Sequence, residues 1–306
     1  MTQPPEQSYD VVVIGSGGAA FATAMGAADE GLNVVILEGT DKWGGSTAMS
    51  GGGMWLPNNP LMRRDKVSDS REQALTYMNA CIGTDGRAHS HKRQEAFVDG
   101  VGDLVETARR YGMVFTRATD YPDYYPELPG GKIGRGLEVE PLDSKPLGEW
   151  FESLQAPAAM PIKTDDVWLL GRAWSTPAGF LRGAQLVLRT LGGLVRGKRL
   201  TGIGAGLMTS FFQAVVQRQH VPLHLNQPLD SLIVEQGRVV GVRTGQDGRT
   251  IIKARRGVML AGGGFDHNTE WRQKHHGIDG SPSGNPGNLG HPIEIAQQVG
   301  AAVFTR

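Results

Sequence analysis

Gly15, Gly17 and Ala20 stand at the spacing G-x-G-x-x-A directly after the apolar run Val11-Val12-Val13-Ile14. Small residues in this pattern suit the binding of a diphosphate. Gly15 permits a tight turn out of a strand, Gly17 lets a pyrophosphate approach the backbone, and Ala20 allows close packing of helix on strand. A helix that begins here turns its free N–H groups and the positive end of its dipole toward the phosphates. Ser16, Gly18 and Ala19 complete the candidate contacts. Glu38 closes the next apolar run, Leu32 to Leu37. It lies about twenty residues further on, where a carboxylate accepts hydrogen bonds from a ribose. Strand, glycine turn, helix, second strand and terminal acid together point to a bound dinucleotide, where the glycines alone would be weak evidence.

Other chemistry finds less support. His275 and His276 adjoin and His267 precedes them, but no spacing matches a zinc site, so no metal is expected. Ser46, Thr47 and Ser50 have no histidine or acid arranged around them and read as ligand contacts, not nucleophiles. Cys81, the only cysteine, sits in a helix-like stretch and reads as a core filler. One cysteine excludes a disulfide framework and a thiolate cluster, which fits a reducing cytoplasm. Lysines plus arginines balance aspartates plus glutamates at 31 each, so no general attraction to nucleic acid follows. Gly accounts for 44 of 306 residues and clusters in pairs, which suggests close backbone approach to a ligand rather than disorder. Neither a signal-peptide pattern nor an apolar run of about twenty residues occurs, so the expectation is a cytoplasmic protein without a spanning helix.

The elements that must position these residues follow from the pattern. Residues 1–8 read as a loose tail and 9–306 as an incomplete dinucleotide-binding domain. The fold class is α/β, Rossmann-like, with a parallel central sheet, a β-hairpin or meander insertion and a helical insertion. Residues 69–112 read as helices, with Asp69 or Ser70 as N-cap. Residues 116–150, rich in Pro, Gly and Tyr, read as an ordered loop, and 165–219 as a second helical region. From His220 short strands follow: Val221–Leu225, a hairpin of Ser231–Glu235 with Val239–Arg243, then Thr250–Ala254, then Gly257–Gly264 returning to the first sheet. Arg182, Arg189 and Arg196 recur every seven residues and share one stripe of a helix. The stripe is a solvated face over an apolar core, or else a basic amphipathic surface on 178–199 for peripheral membrane contact. Gly202-x-Gly204-x-Gly206 follows no buried strand and reads as a helix start.

Lys42-Trp43-Gly44-Gly45-Ser46-Thr47-Ala48-Met49-Ser50-Gly51-Gly52-Gly53-Met54-Trp55-Leu56-Pro57-Asn58-Asn59 resembles the flavin-binding segment of the fumarate reductase/3-ketosteroid dehydrogenase flavoprotein superfamily. Ala261-Gly262-Gly263-Gly264-Phe265 is similar to that superfamily's second glycine signature. The resemblance implies FAD, bound without a covalent link because no histidine stands in 43–53. It adds Gly44, Gly45, Gly51, Gly52, Gly53, Leu229, Ala261, Gly262 and Gly263 to the candidate cofactor contacts. Pro122-Asp123-Tyr124-Tyr125-Pro126-Glu127 resembles the tyrosine-bearing loop of 3-ketosteroid Δ1-dehydrogenases. There the family's reaction removes a C2 proton to a tyrosinate and a C1 hydride to the flavin. The implied role of Tyr124 is to enter the steroid pocket and hydrogen-bond that basic tyrosine, which helps a phenol of pKa near ~10 to ionise. The implied partners are a steroid or other small apolar substrate and an electron acceptor, with no nucleic acid.

The resemblance covers nearly all of 9–306, while the family continues well beyond. The expectation is therefore a truncated sequence, lacking most of the catalytic cap domain and inactive by itself. Asn288-Leu289-Gly290-His291-Pro292 departs from the family, which carries an acid at His291 and a glycine at Pro292. Alternatives are a Δ4-ketosteroid dehydrogenase, a fumarate reductase-like flavoprotein, or a non-catalytic FAD-binding remnant.

Overall fold

The structure, a computed structural model, describes residues 7–84, 86–155 and 160–304, with Trp168 described through its backbone alone. The chain forms two compact units.

The first unit draws on Met1–Met49, Glu149–Pro157 and Phe211–Arg306. Its sheet has six strands in the order Leu223–His224, Val34–Leu37, Gln7–Ile14, Thr250–Leu260, Arg238–Thr244, Leu229–Glu235. The first four run parallel, as the sequence predicts, and the predicted hairpin joins antiparallel, so the sheet is mixed and mostly parallel. The two predicted strands at 250–254 and 257–264 form one strand, Thr250–Leu260. Its first half is hydrogen-bonded on both edges, Ile252 pairing with both Gln7 and Val242, and the strand then passes Arg255-Arg256 through a register shift, Tyr9 pairing with Ala254 and Val11 with Gly257. The turn between Leu229–Glu235 and Arg238–Thr244 holds Gln236 and Gly237, both at positive φ, as a two-residue hairpin of this hand requires. Val12, Ile14, Val35, Leu37, Val242, Ile252 and Ala254 form the core on one sheet face. Helix Gly18–Asp29 buries Ala20, Phe21, Ala24 and Met25, one stripe at helical period. Phe21, Trp43 and Phe212 pack ring to ring beneath it, Trp43 and Phe212 with centroids 4.8 Å apart.

The second unit draws on Ser50–Gly148 and Ala158–Ser210. Helices Arg71–Ile82 and His91–Arg110 fill the predicted helical stretch. Ser70 is the N-cap, its hydroxyl accepting from Gln73 N at 3.2 Å, while Asp69 is drawn elsewhere. The predicted loop 116–150 contains strand Gly136–Val139 and the end of strand Phe115–Arg117. These pair with each other and, through Gly136–Val139, with Met54–Trp55 in a three-stranded antiparallel sheet. Cross-strand hydrogen bonds reorganise a segment whose local sequence signals only turns.

Helices Thr164–Leu170 and Pro177–Val195 follow, and the next begins at Ile203, just after Gly202. Two of the three stripe arginines are turned inward, while Arg196 stays exposed. Arg182 and Arg189 both pair with Asp166, at 3.0 and 2.7 Å, and Asp166 is wholly buried. Leu181, Leu188, Leu191 and Val195 are exposed instead, the reverse of a solvated basic face over an apolar core. One buried carboxylate with two arginines in reach outweighs the usual placing of charge in water.

Candidate functional site

The glycine turn is held by the two strands beside it. Gly15 N–H donates to Leu37 O at 2.8 Å, and Ala261 N–H donates to Ile14 O at 2.8 Å. Gly15 has φ +96°, and a Cβ there would lie 2.4 Å from Ala261 O, so no other residue fits without a shift. Ala261, Gly262 and Gly263 leave the neighbouring strand at this point, which brings the second glycine segment alongside the first. Helix Gly18–Asp29 starts at N-cap Gly17 with no side-chain cap and no acid in its first turn. Gly18 N–H donates to the Thr47 hydroxyl at 3.0 Å. Gly44 and Gly45 both have positive φ, and a Cβ on Gly45 would stand 3.5 Å from the Gly17 Cα. Three glycine segments, distant in sequence, thus line one turn.

Glu38 is at the end of its strand, as predicted. Its Oε2 accepts from the Ser16 hydroxyl at 2.5 Å, and its Oε1 accepts from the Thr40 N–H and hydroxyl, each at 3.1 Å. Ser16 Oγ in turn accepts from Gly44 N–H at 3.1 Å. A carboxylate has about four lone-pair positions, three of them taken here, so one is left to accept from a ribose hydroxyl. Ser46 Oγ accepts from Asn285 N–H and from Asn288 Nδ2, each at 3.0 Å, and Asn288 Nδ2 also reaches Asp266 Oδ1 at 2.7 Å. Asp266 and Asn285 are not among the residues singled out from sequence, and Asn288 enters there only within the stretch that departs from the family; the turn-forming string Asn285-Pro286-Gly287-Asn288 is the available signal. Leu229 opens its strand opposite Thr244 and packs on the sheet core. Pro292 begins a helix and fills the space a Cβ on Gly262 would need, 2.5 Å from its Cγ. His291 points outward beside Glu294. A helix start with no acid in its first turn, glycines at 15 and 17 in the turn before it and a carboxylate at the second strand end fit a dinucleotide cofactor.

The second unit contains a cavity of about 440 Å³. One wall is the glycine strip Ser50–Gly53. Gly52 has φ +75°, and a Cβ there would lie 2.3 Å from the Ile203 carbonyl carbon. Gly204 N–H donates to Ser50 O at 2.9 Å, and Ile203 itself has φ 48°, so the strip and the helix start meet backbone to backbone. Tyr121 and Tyr124 also line the cavity. Tyr124 is 85% exposed along its open side. Tyr125 does not line the cavity; its N–H donates to the Tyr77 hydroxyl at 3.0 Å. Burial pushes the Tyr121 phenol above its ordinary value, and the charge and hydrogen bond of Tyr124 act in the same direction. Tyr121 escaped the sequence reading, although it stands three residues before Tyr124 in the same proline-containing loop.

That loop is fastened from beneath. Asp123 accepts from Trp55 Nε1 at 2.7 Å, from Lys132 N–H at 2.9 Å and from Arg135 at 2.7 Å. Arg135, wholly buried, also forms a two-pronged pair with Asp69 at 2.8 and 2.9 Å. Its guanidinium lies over the Trp55 and Tyr77 rings, 5.7 and 5.6 Å from their centroids. Burial would raise the Asp69 carboxyl, but Arg135 and the N–H groups of Asn58 and Ser70 outweigh it and hold the pKa low. Among the described residues no group of three His, Cys, Asp or Glu side chains is placed to hold a metal ion.

Comparison with known proteins agrees with this geometry. A 3-oxosteroid 1-dehydrogenase of Mycolicibacterium smegmatis is 36% identical, with 97% of this chain and 54% of that protein covered. One from Mycobacterium tuberculosis is 34% identical, with 97% and 55% covered. The chain thus spans about half the length of the curated relatives it matches. A crystal structure of 3-ketosteroid Δ1-dehydrogenase from Sterolibacterium denitrificans in complex with 1,4-androstadiene-3,17-dione superposes with TM-score 0.85 at 32% identity, over 97% of this chain and 55% of that one. The family described as "FAD binding domain" matches residues 10–306, and the chain belongs to it, with FAD as its cofactor.

Proposed function

We propose that this chain serves the flavin-dependent dehydrogenation of a 3-ketosteroid at C1–C2. The observation that carries the proposal is the cavity of the second unit, whose lining includes both a phenol pair and the glycine strip. FAD, when bound, supplies the hydride acceptor. Gly15 to Ala20, Gly44 to Thr47 and Ala261 to Gly263 would hold its diphosphate, and Glu38 its ribose, without a covalent link. Glycine at 51–53 leaves room for a flat ring to lie against backbone. Tyr124 would present its hydroxyl to the substrate end, with Tyr121 beside it, while Asp123 and Arg135 fix the loop from below. Removal of a proton next to a carbonyl needs a positioned oxygen base, and a phenol serves only where its ionised form is hydrogen-bonded. The test is titration of the FAD-loaded chain with a 3-ketosteroid, read in the flavin absorption spectrum. A saturable perturbation that Tyr124→Phe weakens and Tyr125→Phe leaves unchanged is expected. The reverse ranking would reassign the loop, and no perturbation in wild type would refute the proposal.

The apolar character of such a substrate gives meaning to the outward face of helix Pro177–Val195. Leu181, Leu188, Leu191 and Val195 are more than half exposed, with Arg196, Lys198 and Arg199 directly after them. We read this row as a peripheral contact with an anionic lipid surface, apolar residues in the acyl boundary and cations at the headgroups. Among the described residues no helix is long and apolar enough to cross a membrane. Co-sedimentation with phosphatidylglycerol vesicles should be lost in Leu188→Glu/Leu191→Glu; equal binding of wild type and variant would refute the contact.

A further inference from the structure

Behind the cavity wall that carries Thr164 lies a buried acid that the function above does not use. Glu138 sits on strand Gly136–Val139 and is 1% exposed. Its Oε2 accepts from Thr164 N–H at 2.7 Å and from the Thr164 hydroxyl at 2.8 Å. Its Oε1 is buried and has no hydrogen-bond partner among the described residues. An ionised carboxylate with one oxygen bare of donors is expensive to bury, and such a group lowers its free energy by taking up a proton. The surrounding charges do not remedy this. Asp165, beside Thr164, adds negative charge. Lys163 offsets it in part, but its Nζ is directed to Glu140 at 3.3 Å. Arg117, on the adjacent strand, pairs with Asp65 at 3.0 Å. Burial accordingly pushes the Glu138 carboxyl upward, against the lowering effect of the two Thr164 donors.

We propose that Glu138 is the proton-holding group of the cavity and exchanges its proton with a donor there through the Thr164 hydroxyl. When Glu138 is ionised, Thr164 Oγ passes its hydrogen to Oε2 as Oγ takes a hydrogen from the cavity side. One O–H bond of Thr164 breaks while another forms, and the negative charge moves from Glu138 to the donor. The reverse order returns it. Under the function proposed above the donor is the Tyr124 phenol, which lines the same cavity as Thr164; this part rests on that reading. Thr164, which lines the cavity and donates to Glu138, is the link between this buried carboxyl and the cavity. Glu138 acts through Thr164 and is a positioning residue.

Infrared spectroscopy of the 306-residue chain, with carbon-13 glutamate in light and heavy water, reads the carbonyl stretch of a protonated carboxyl. At neutral pH one glutamate band sensitive to both isotopes is expected. It should vanish in E138Q, persist unshifted in T164S and move in T164V. No such band in wild type, or one that survives in E138Q, overturns the proposal; a T164V band identical to wild type overturns the passage through Thr164. Should E138Q fail to fold, pH titration of the labelled wild type decides, because the band must outlast the ordinary glutamate value near ~4.3. Adding a 3-ketosteroid separates the two proposals. Bound steroid with an unmoved Glu138 band refutes exchange with the cavity. Absence of steroid binding with the band intact refutes the function alone and supports the buried proton.

Discussion

Gly15 and Glu38 would carry different parts of the proposed cofactor fit, and substitutions should tell them apart. Alanine at Gly15 meets two obstacles, a φ of +96° and a carbonyl oxygen 2.4 Å from the new Cβ. It should distort the turn and abolish measurable FAD binding, with a fall in thermal midpoint as well. Glu38→Ala leaves the turn in place and removes acceptors. Unpaired hydroxyl groups typically cost about 1–3 kcal/mol, roughly a 5- to 150-fold weaker Kd. Part of that loss belongs to Ser16, which gives its hydrogen to Glu38 and accepts from Gly44. Ser16→Ala should therefore weaken FAD less than Glu38→Ala does. Quenching of FAD fluorescence measures all three, and equal affinities for wild type and Glu38→Ala would remove Glu38 from the site.

At the level of elements, the tyrosine loop is positioned by ion pairs that no local pattern announces. Arg135 bridges Asp69, at the mouth of one helix, and Asp123, next to Tyr124. All three side chains are almost fully buried. Removing one member strands the other charges in a low dielectric, at a cost of about 3–5 kcal/mol. Arg135→Leu should lower the unfolding free energy by that order, shifting the urea midpoint down, and perturb Tyr124 by freeing Asp123. Arg135→Lys keeps the charge but loses the two-pronged pairing with Asp69, and should fall between. If urea denaturation found Arg135→Leu as stable as wild type, the ion pairs would not be what fixes the loop. The same logic explains helix Pro177–Val195. Two of its arginines are recruited by Asp166, and the apolar side chains are left facing out.

For the molecule as a whole, buried carboxyls of opposite shift shape stability against pH. Glu138 is raised, so its folded form holds the proton more tightly than the unfolded form. Its contribution is complete below the unfolded value near ~4.3 and is lost as pH rises through the folded value. Asp69 and Asp166 are lowered; in each, burial is outweighed by arginine and backbone donors. Their contributions are present above the unfolded value near ~3.9 and are lost as pH falls through the folded values. Stability should thus decline on both sides of a mildly acidic optimum. E138Q should flatten the upper side only, as followed by thermal midpoints across pH. An unchanged upper slope in E138Q would mean that Glu138 does not titrate as described.

The sequence by itself determined the dinucleotide turn, the acid at the second strand end, the hairpin at Gln236-Gly237 and the helices after Ser70. Each is a local matter: a φ that only glycine adopts freely, a run that must be buried, a hydroxyl that caps. The three glycine segments were legible one at a time because each carries its own steric requirement. Tertiary structure alone decided what these pieces meet. The sheet became mixed because Thr250–Leu260 could bond on both edges. The loop 116–150 acquired strands because a partner lay beside it. Arg182 and Arg189 turned inward because Asp166 was buried within reach, and Glu138 became an unusual acid because its neighbours satisfy only one of its oxygens. Hydrogen-bond partners and burial depend on residues far apart in the chain, and no spacing within one segment encodes them.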